Sequence, residues 1–251
     1  MSLFTFCPGV FEQRKTMRQH GFSLIELMVA MAIGLFLVTV IGVLFVNSKV
    51  TYLAQDANSR VQENSRFGVE LLGQQIRSAG APNIQFTLLS NANLYAKPPV
   101  MKFGGTPIAG TEGTSGAPDT ITVSFDSTVD CLGKTVGSPV INVFSIDTTT
   151  KQLVCQGNGN PVLDDVEDLQ LTYLQPSPAG IAYVSATDAS MKDVTAVRVC
   201  LLVRAKADAG KRASGVQSQT YTDCKGASVT ASDGYLRRSV GMVIDLRNRL
   251  S

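Results

Sequence analysis

Glu26 is the residue in this sequence whose chemistry most needs explaining. It follows Gly21-Phe22-Ser23-Leu24-Ile25 and precedes Leu27 to Ser48, a run with no charged side chain. An acid inside a hydrocarbon segment costs about 2.5–3.5 kcal/mol on insertion scales, and less toward a helix end. Such a group either snorkels to the headgroups or pairs with a positive charge brought by a neighbouring helix. Cleavage after Gly21 would create a suitable cation, the new α-amino group of Phe22.

Other reactive side chains are sparse. His20 is the only histidine and precedes Gly21. The chain beyond that point therefore has no imidazole for acid–base work or for activating a serine. No catalytic residue is assigned, and an enzyme is not expected. Of five cysteines, Cys7 lies before Gly21, and Cys131, Cys155, Cys200 and Cys224 form an even set. No two are spaced as a zinc site requires, so no metal or other cofactor is expected. In an oxidising compartment these four read as disulfides. Three pairings are possible, and Cys131–Cys155 with Cys200–Cys224 is favoured because each joins the flanks of one strand–loop–strand unit. A loop of this length contributes about 3 kcal/mol by restricting the unfolded chain.

The densest acidic run, Asp164-Asp165-Val166-Glu167-Asp168, offers hard oxygen ligands but lacks the alternate acids and glycine of a calcium loop. It reads as a solvated turn entering a strand. Gly157-Asn158-Gly159-Asn160-Pro161 is a turn without the Gly-Lys-Ser/Thr of a phosphate loop. Lys206, Lys211 and Arg212 form a modest basic loop and Arg237-Arg238 another, without interleaved aromatics. Both read as solvated. Arg14, Lys15 and Arg18 stand against Glu12 before Gly21; taking them from the totals of 22 basic and 20 acidic residues leaves 19 of each. That balance gives no electrostatic reason to expect a nucleic-acid partner.

Only 17% of the chain is charged, below the usual quarter or so, and the apolar excess is concentrated between Phe22 and Val46. At ~1.5 Å per residue, Leu27 to Ser48 spans a bilayer core of ~30 Å as a helix. The span is placed at about 25–47. Basic residues ahead of it predict a cytoplasmic N-terminal side and an exported C-terminal part. Beyond Lys49 an amphipathic stem continues: Val50, Leu53, Ala57, Val61, Phe67, Leu71, Leu72 and Ile76 recur at near-helical spacing. Asp56 with Arg60, and Arg66 with Glu70, are spaced to pair across a turn. Gly80 and Pro82 end the helix.

Residues 81–119 read as a long loop with short strands at most. Alternation then marks strands around Ile121–Phe125, Val140–Phe144, Leu153–Cys155, Leu169–Tyr173, Val197–Val203 and Val240–Leu246. Helix first and antiparallel sheet afterwards predicts an α+β fold with the helix covering one sheet face. The expected organisation is a leader at 1–21, a helix at 22–80 and a β-rich extracytoplasmic head at 81–251.

Gly21-Phe22-Ser23-Leu24-Ile25-Glu26-Leu27-Met28-Val29-Ala30, behind a basic leader, resembles the processing motif of type IV prepilins and pseudopilins. The resemblance implies cleavage after Gly21 by prepilin peptidase, N-methylation of Phe22, and a Glu26 that neutralises the terminal amine of an adjacent subunit. Met17-Arg18-Gln19-His20-Gly21 would form a complete leader. Val166–Tyr173, Ala196–Arg204 and Arg237-Arg238 through Asn248 are similar to PilW-type minor pilins; a J-type pseudopilin of type II secretion has a similar layout. This likeness implies the α+β pilin fold, an inner-membrane subunit with a periplasmic head, and incorporation in the fibre. The implied partners are other minor pilins, the major pilin, a PilY-type tip adhesin and the inner-membrane assembly platform. A tip adhesin or DNA-binding pilin is the remaining alternative.

Overall fold

The computed structural model describes residues 21–82, 103–157, 159–178, 180–207 and 218–248. It divides into two compact units, residues 1–48 and 49–251. Arg14, Lys15, Arg18, His20 and Cys7 lie outside the described residues, as do Asn158, Lys211 and Arg212.

One helix, α1, runs over Leu24–Ser78. In the first unit it consists of the uncharged apolar run, and its side chains are exposed throughout. Among the described residues it is the one helix long and apolar enough to cross a membrane. In the second unit its buried positions are Ala57, Val61, Ser65, Gly68, Leu72, Gly73 and Ile76. These recur every three or four residues, the stripe of a helix covered on one side. Phe67, expected on that stripe, is 50% exposed, and Val50 is exposed as well. Gly68 takes the inner position instead, because a Cβ there would stand 2.7 Å from Leu163 and 2.9 Å from Leu201.

The helix ends where Gly80 adopts φ +72° and donates its N–H to the Ser124 carbonyl at 2.9 Å. Asn248 closes the same end by donating from Nδ2 to the Arg77 carbonyl at 3.0 Å. The Asn248 contact satisfies one of the carbonyls that a helix C-terminus leaves unpaired.

Eleven strands are described: β1 (Ile108–Thr111), β2 (Thr120–Phe125), β3 (Val140–Asp147), β4 (Gln152–Cys155), β5 (Pro161–Asp164), β6 (Val166–Ser177), β7 (Gly180–Val184), β8 (Ala196–Lys206), β9 (Gln219–Thr222), β10 (Ser228–Ala231) and β11 (Tyr235–Asp245). All their pairings are antiparallel. They form three sheets rather than the single sheet expected: β1-β2-β3-β4-β5, β11-β8-β6-β7 and the hairpin β10-β9. The six strands foreseen each carry a buried face. Of the others, β7, β9 and β10 have no fully buried position, so burial imposes no apolar alternation on them. Asp165, at φ +59°, makes the corner between β5 and β6 and so carries the chain from one sheet into the other.

The main core joins Leu72 and Ile76 of α1 to Ile121, Phe144 and Leu153 of the five-stranded sheet and to Leu169, Leu201 and Ile244 of the four-stranded sheet, and a smaller cluster holds Ala57, Val61 and Ala205. Each of these main-core side chains contributes about 1.5–3 kcal/mol on burial. The fold is α+β, with the stem of the helix covering strands of both larger sheets.

Candidate functional site

Two regions hold the side chains singled out above. The first is the start of α1. Gly21, Phe22 and Ser23 precede the helix, and Phe22 is 84% exposed. Ser23 is the N-cap: its Oγ accepts the Glu26 N–H at 3.2 Å, and its carbonyl accepts the Leu27 N–H at 3.2 Å. Glu26 therefore stands in the first helical turn, where the positive end of the helix dipole favours a carboxylate. Ser23-Leu24-Ile25-Glu26 has the Ser-x-x-Glu spacing of a capping box, a pattern legible in the sequence that the reading of Glu26 as an isolated acid passed over. The cap at Ser23 fixes the start of the helix at Leu24, three residues beyond Gly21. Phe22 thus lies outside the first turn.

The second region is the head. Cys131 is bonded to Cys155 and Cys200 to Cys224. The first bond ties the β2–β3 connection to β4. The second ties β8 to the turn of the β9–β10 hairpin, whose Gln219 exchanges two hydrogen bonds with the Arg237 main chain, at 2.7 and 3.0 Å. Beside the first disulfide, the fully buried Asn142 accepts the Cys131 N–H at 3.1 Å and donates to Gln75 Oε1 of α1 at 2.8 Å. Asp119, also buried, accepts the main-chain N–H of Gly113 and of Leu171, at 2.8 and 2.7 Å. A carboxylate held by main-chain donors from two directions links the two larger sheets.

The acidic run and the arginine pair meet. Arg237, 7% exposed at its side chain, makes charged bonds to Glu167 at 2.6 and 2.9 Å and to Asp233 at 2.8 and 2.5 Å. Arg204 bonds Glu167 at 3.1 Å and Asp165 at 3.4 Å, and stacks over Tyr235 at 4.4 Å. Hydrogen bonds from Arg237 hold the Asp233 carboxyl down at about 2. Burial pushes the Asp168 carboxyl up. The expectation of solvated residues fails at Glu167 and Arg237: the run does enter a strand, but β6, β8 and β11 bring opposite charges together and exclude water from them. Arg238, next in line, stays exposed on the other face.

Asp56 pairs with Arg60 at 2.9 Å as its spacing suggests, whereas Glu70 pairs with Arg77 at 3.3 Å rather than with Arg66. Among the described residues no three His, Cys, Asp or Glu side chains are placed to hold a metal ion. Lys206 ends β8 exposed, and the rest of its basic loop lies outside the described residues.

A family model described as Type IV Pilus-assembly protein W matches residues 142–248. A second, the Prokaryotic N-terminal methylation motif, matches residues 16–42 and so includes Gly21, Phe22 and Glu26. No curated protein matches the chain. Among solved structures, a type IV-like pilin from Thermus thermophilus is similar over 75% of this chain and 97% of its own, at 14% identity and a TM-score of 0.43. The longer match begins at Asn142 and ends at Asn248, both of which bond to α1 near its C-terminal end.

Proposed function

We propose that this chain, which matches the PilW model over residues 142–248 and the N-terminal methylation motif over residues 16–42, is a type IV minor pilin of the PilW type that takes part in pilus assembly as a subunit of the tip or priming complex, in support of adhesion and twitching motility. The observation that carries the reading is Glu26 in the first turn of a long helix whose run from Leu27 to Ser48 has no charge, just beyond a capped Gly21-Phe22-Ser23 start. Prepilin peptidase cuts after Gly21 and methylates the Phe22 amine. The chain is anchored in the inner membrane by one span, with the head in the periplasm, where its disulfides form. Apolar helices then pack side by side, and the Glu26 carboxylate pairs with the terminal amine of a neighbouring subunit.

The head selects partners: other minor pilins, the major pilin and a PilY-type adhesin, docked on the inner-membrane assembly platform. The match to the PilW family over residues 142–248 favours the pilus over a J-type secretion pseudopilin. Replacing Glu26 by valine leaves insertion and cleavage intact and lowers incorporation into pili. Normal pilus numbers in that mutant overturn the role given to the carboxylate. Mass measurement of the mature chain is expected to give Phe22 as its first residue, one methyl group heavier than the sequence; a chain still carrying its leader in cells with active peptidase overturns the processing step.

A further inference from the structure

The β7 side of the four-stranded sheet is an open edge. In the β6–β7 register, Ser177 faces Gly180, with two residues between them in sequence, as the closing pair of the hairpin, and the ladder runs on to Tyr173 opposite Val184. The closing pair of such a hairpin exchanges both main-chain hydrogen bonds, and every second pair exchanges none. Gly180, Ala182 and Val184 therefore turn their N–H and C=O groups toward β6, while Ile181 and Tyr183 turn theirs away. The β6 side agrees, since Leu174, opposite Tyr183, directs its carbonyl to the other side and accepts the Thr195 N–H at 2.7 Å. Among the described residues no strand lies beyond β7 to meet those groups.

The same two residues present their side chains to solvent, Ile181 at 74% and Tyr183 at 43%. Nothing in Gly180-Ile181-Ala182-Tyr183-Val184 guards the edge: it has no lysine, proline or other charge. The exposed Arg198 guanidinium lies 3.9 Å from the Tyr183 ring centre, which sets a cation beside the strand.

We propose that β7 is a docking edge for an extended segment of a second, different polypeptide, which adds to the sheet as its fifth strand. Main-chain groups of that segment meet those of Ile181 and Tyr183, its alternate apolar side chains cover theirs, and a carboxylate meets Arg198. A second copy of this chain fits less well, because its own β7 would bring another Arg198 rather than an acid to the same edge. The inference draws on the assembly reading only in expecting the partner to be another exported subunit; its failure leaves the Glu26 experiment untouched.

The test places a benzophenone amino acid at position 183 of the full chain in piliated cells and maps the photoadduct by mass spectrometry. The expected adduct lies within an extended segment of a different polypeptide. Adding Ile181→Pro, which deletes an outward N–H and spares the β6 bonds, lowers adduct yield by roughly fivefold or more. Ile181→Lys, a second variant that places a charge on an already exposed position, does the same, and Ile181→Val retains the yield. An adduct to another copy of this chain, or a yield indifferent to both proline and lysine in folded protein, overturns the proposal.

Discussion

Gln75 of α1 and Asn142 of β3 are joined by a hydrogen bond of 2.8 Å from a side chain that is fully buried. Asn142 simultaneously holds the Cys131 N–H and accepts from Gln156, so one amide couples the helix, the sheet and the first disulfide loop. Truncating Asn142 to alanine leaves these partners unsatisfied in the interior and costs about 2–3 kcal/mol. Gln75→Ala, which removes one of the three contacts, costs about 1 kcal/mol. Denaturant unfolding of the full chain in detergent measures both. Equal losses for the two would show that the amide is not the centre of the network.

Among the described residues Arg237 is the most deeply placed cation of the head. Arg237→Met leaves Glu167 in the interior facing only Arg204, and a loss of about 3–5 kcal/mol is expected. Arg237→Lys does not rescue it, since one ammonium cannot reproduce the forked contacts to Glu167 and Asp233. Thermal unfolding read by circular dichroism separates these outcomes. A lysine variant as stable as the parent would contradict the geometric reading.

Acid titration gives a signed test of the same cluster. The Asp233 carboxyl sits at about 2 against an ordinary 3.8, so its stabilising contribution is complete above 3.8 and is lost as the pH falls toward 2. Asp168 has the opposite sign. Burial raises its carboxyl, so its ionised form costs stability at neutral pH and that cost lifts on acidification. Asp233→Asn is therefore expected to flatten the acid-side loss below pH 3.8, and Asp168→Asn to raise the melting temperature at neutral pH.

Two helix glycines are predicted to differ. Alanine gains about 1 kcal/mol of helix propensity over glycine at either position. At Gly68 the new methyl meets Leu163 and Leu201, the latter fully buried, and overpacking of about 1–3 kcal/mol outweighs the gain. At Gly73 the obstacle is the flexible end of Met242, at 2.8 Å and only half-buried, which can swing aside. Gly68→Ala is expected to lower the unfolding midpoint, while Gly73→Ala leaves it unchanged or raises it.

The Cys200–Cys224 bond anchors a hairpin whose own faces contribute no fully buried residue. Replacing both cysteines by serine is expected to cost about 3 kcal/mol. Hydrogen exchange should rise in residues 219–231 while the β3–β4 ladder keeps its protection. Uniform loss of protection across the head would contradict this division.

The sequence by itself determined the long helix, its end at Gly80 and six of the strands that carry buried positions, and it missed β1 and β5, which bury a single core residue each. Each feature so determined depends on neighbours in the chain: an uninterrupted apolar run, a period of two, a glycine where the backbone must reverse. Only the tertiary structure decided that Gly68 rather than Phe67 faces the core, that the strands divide into three sheets, the two larger meeting at Asp165, and that β7 lies at the edge of one of them. It also turned Glu167 and Arg237, 70 residues apart, into a water-excluded pair. Local periodicity states which face of an element is greasy, but not which element will cover it or how closely. Those outcomes follow from strand register and helix approach, which are fixed when distant segments compete for the same core.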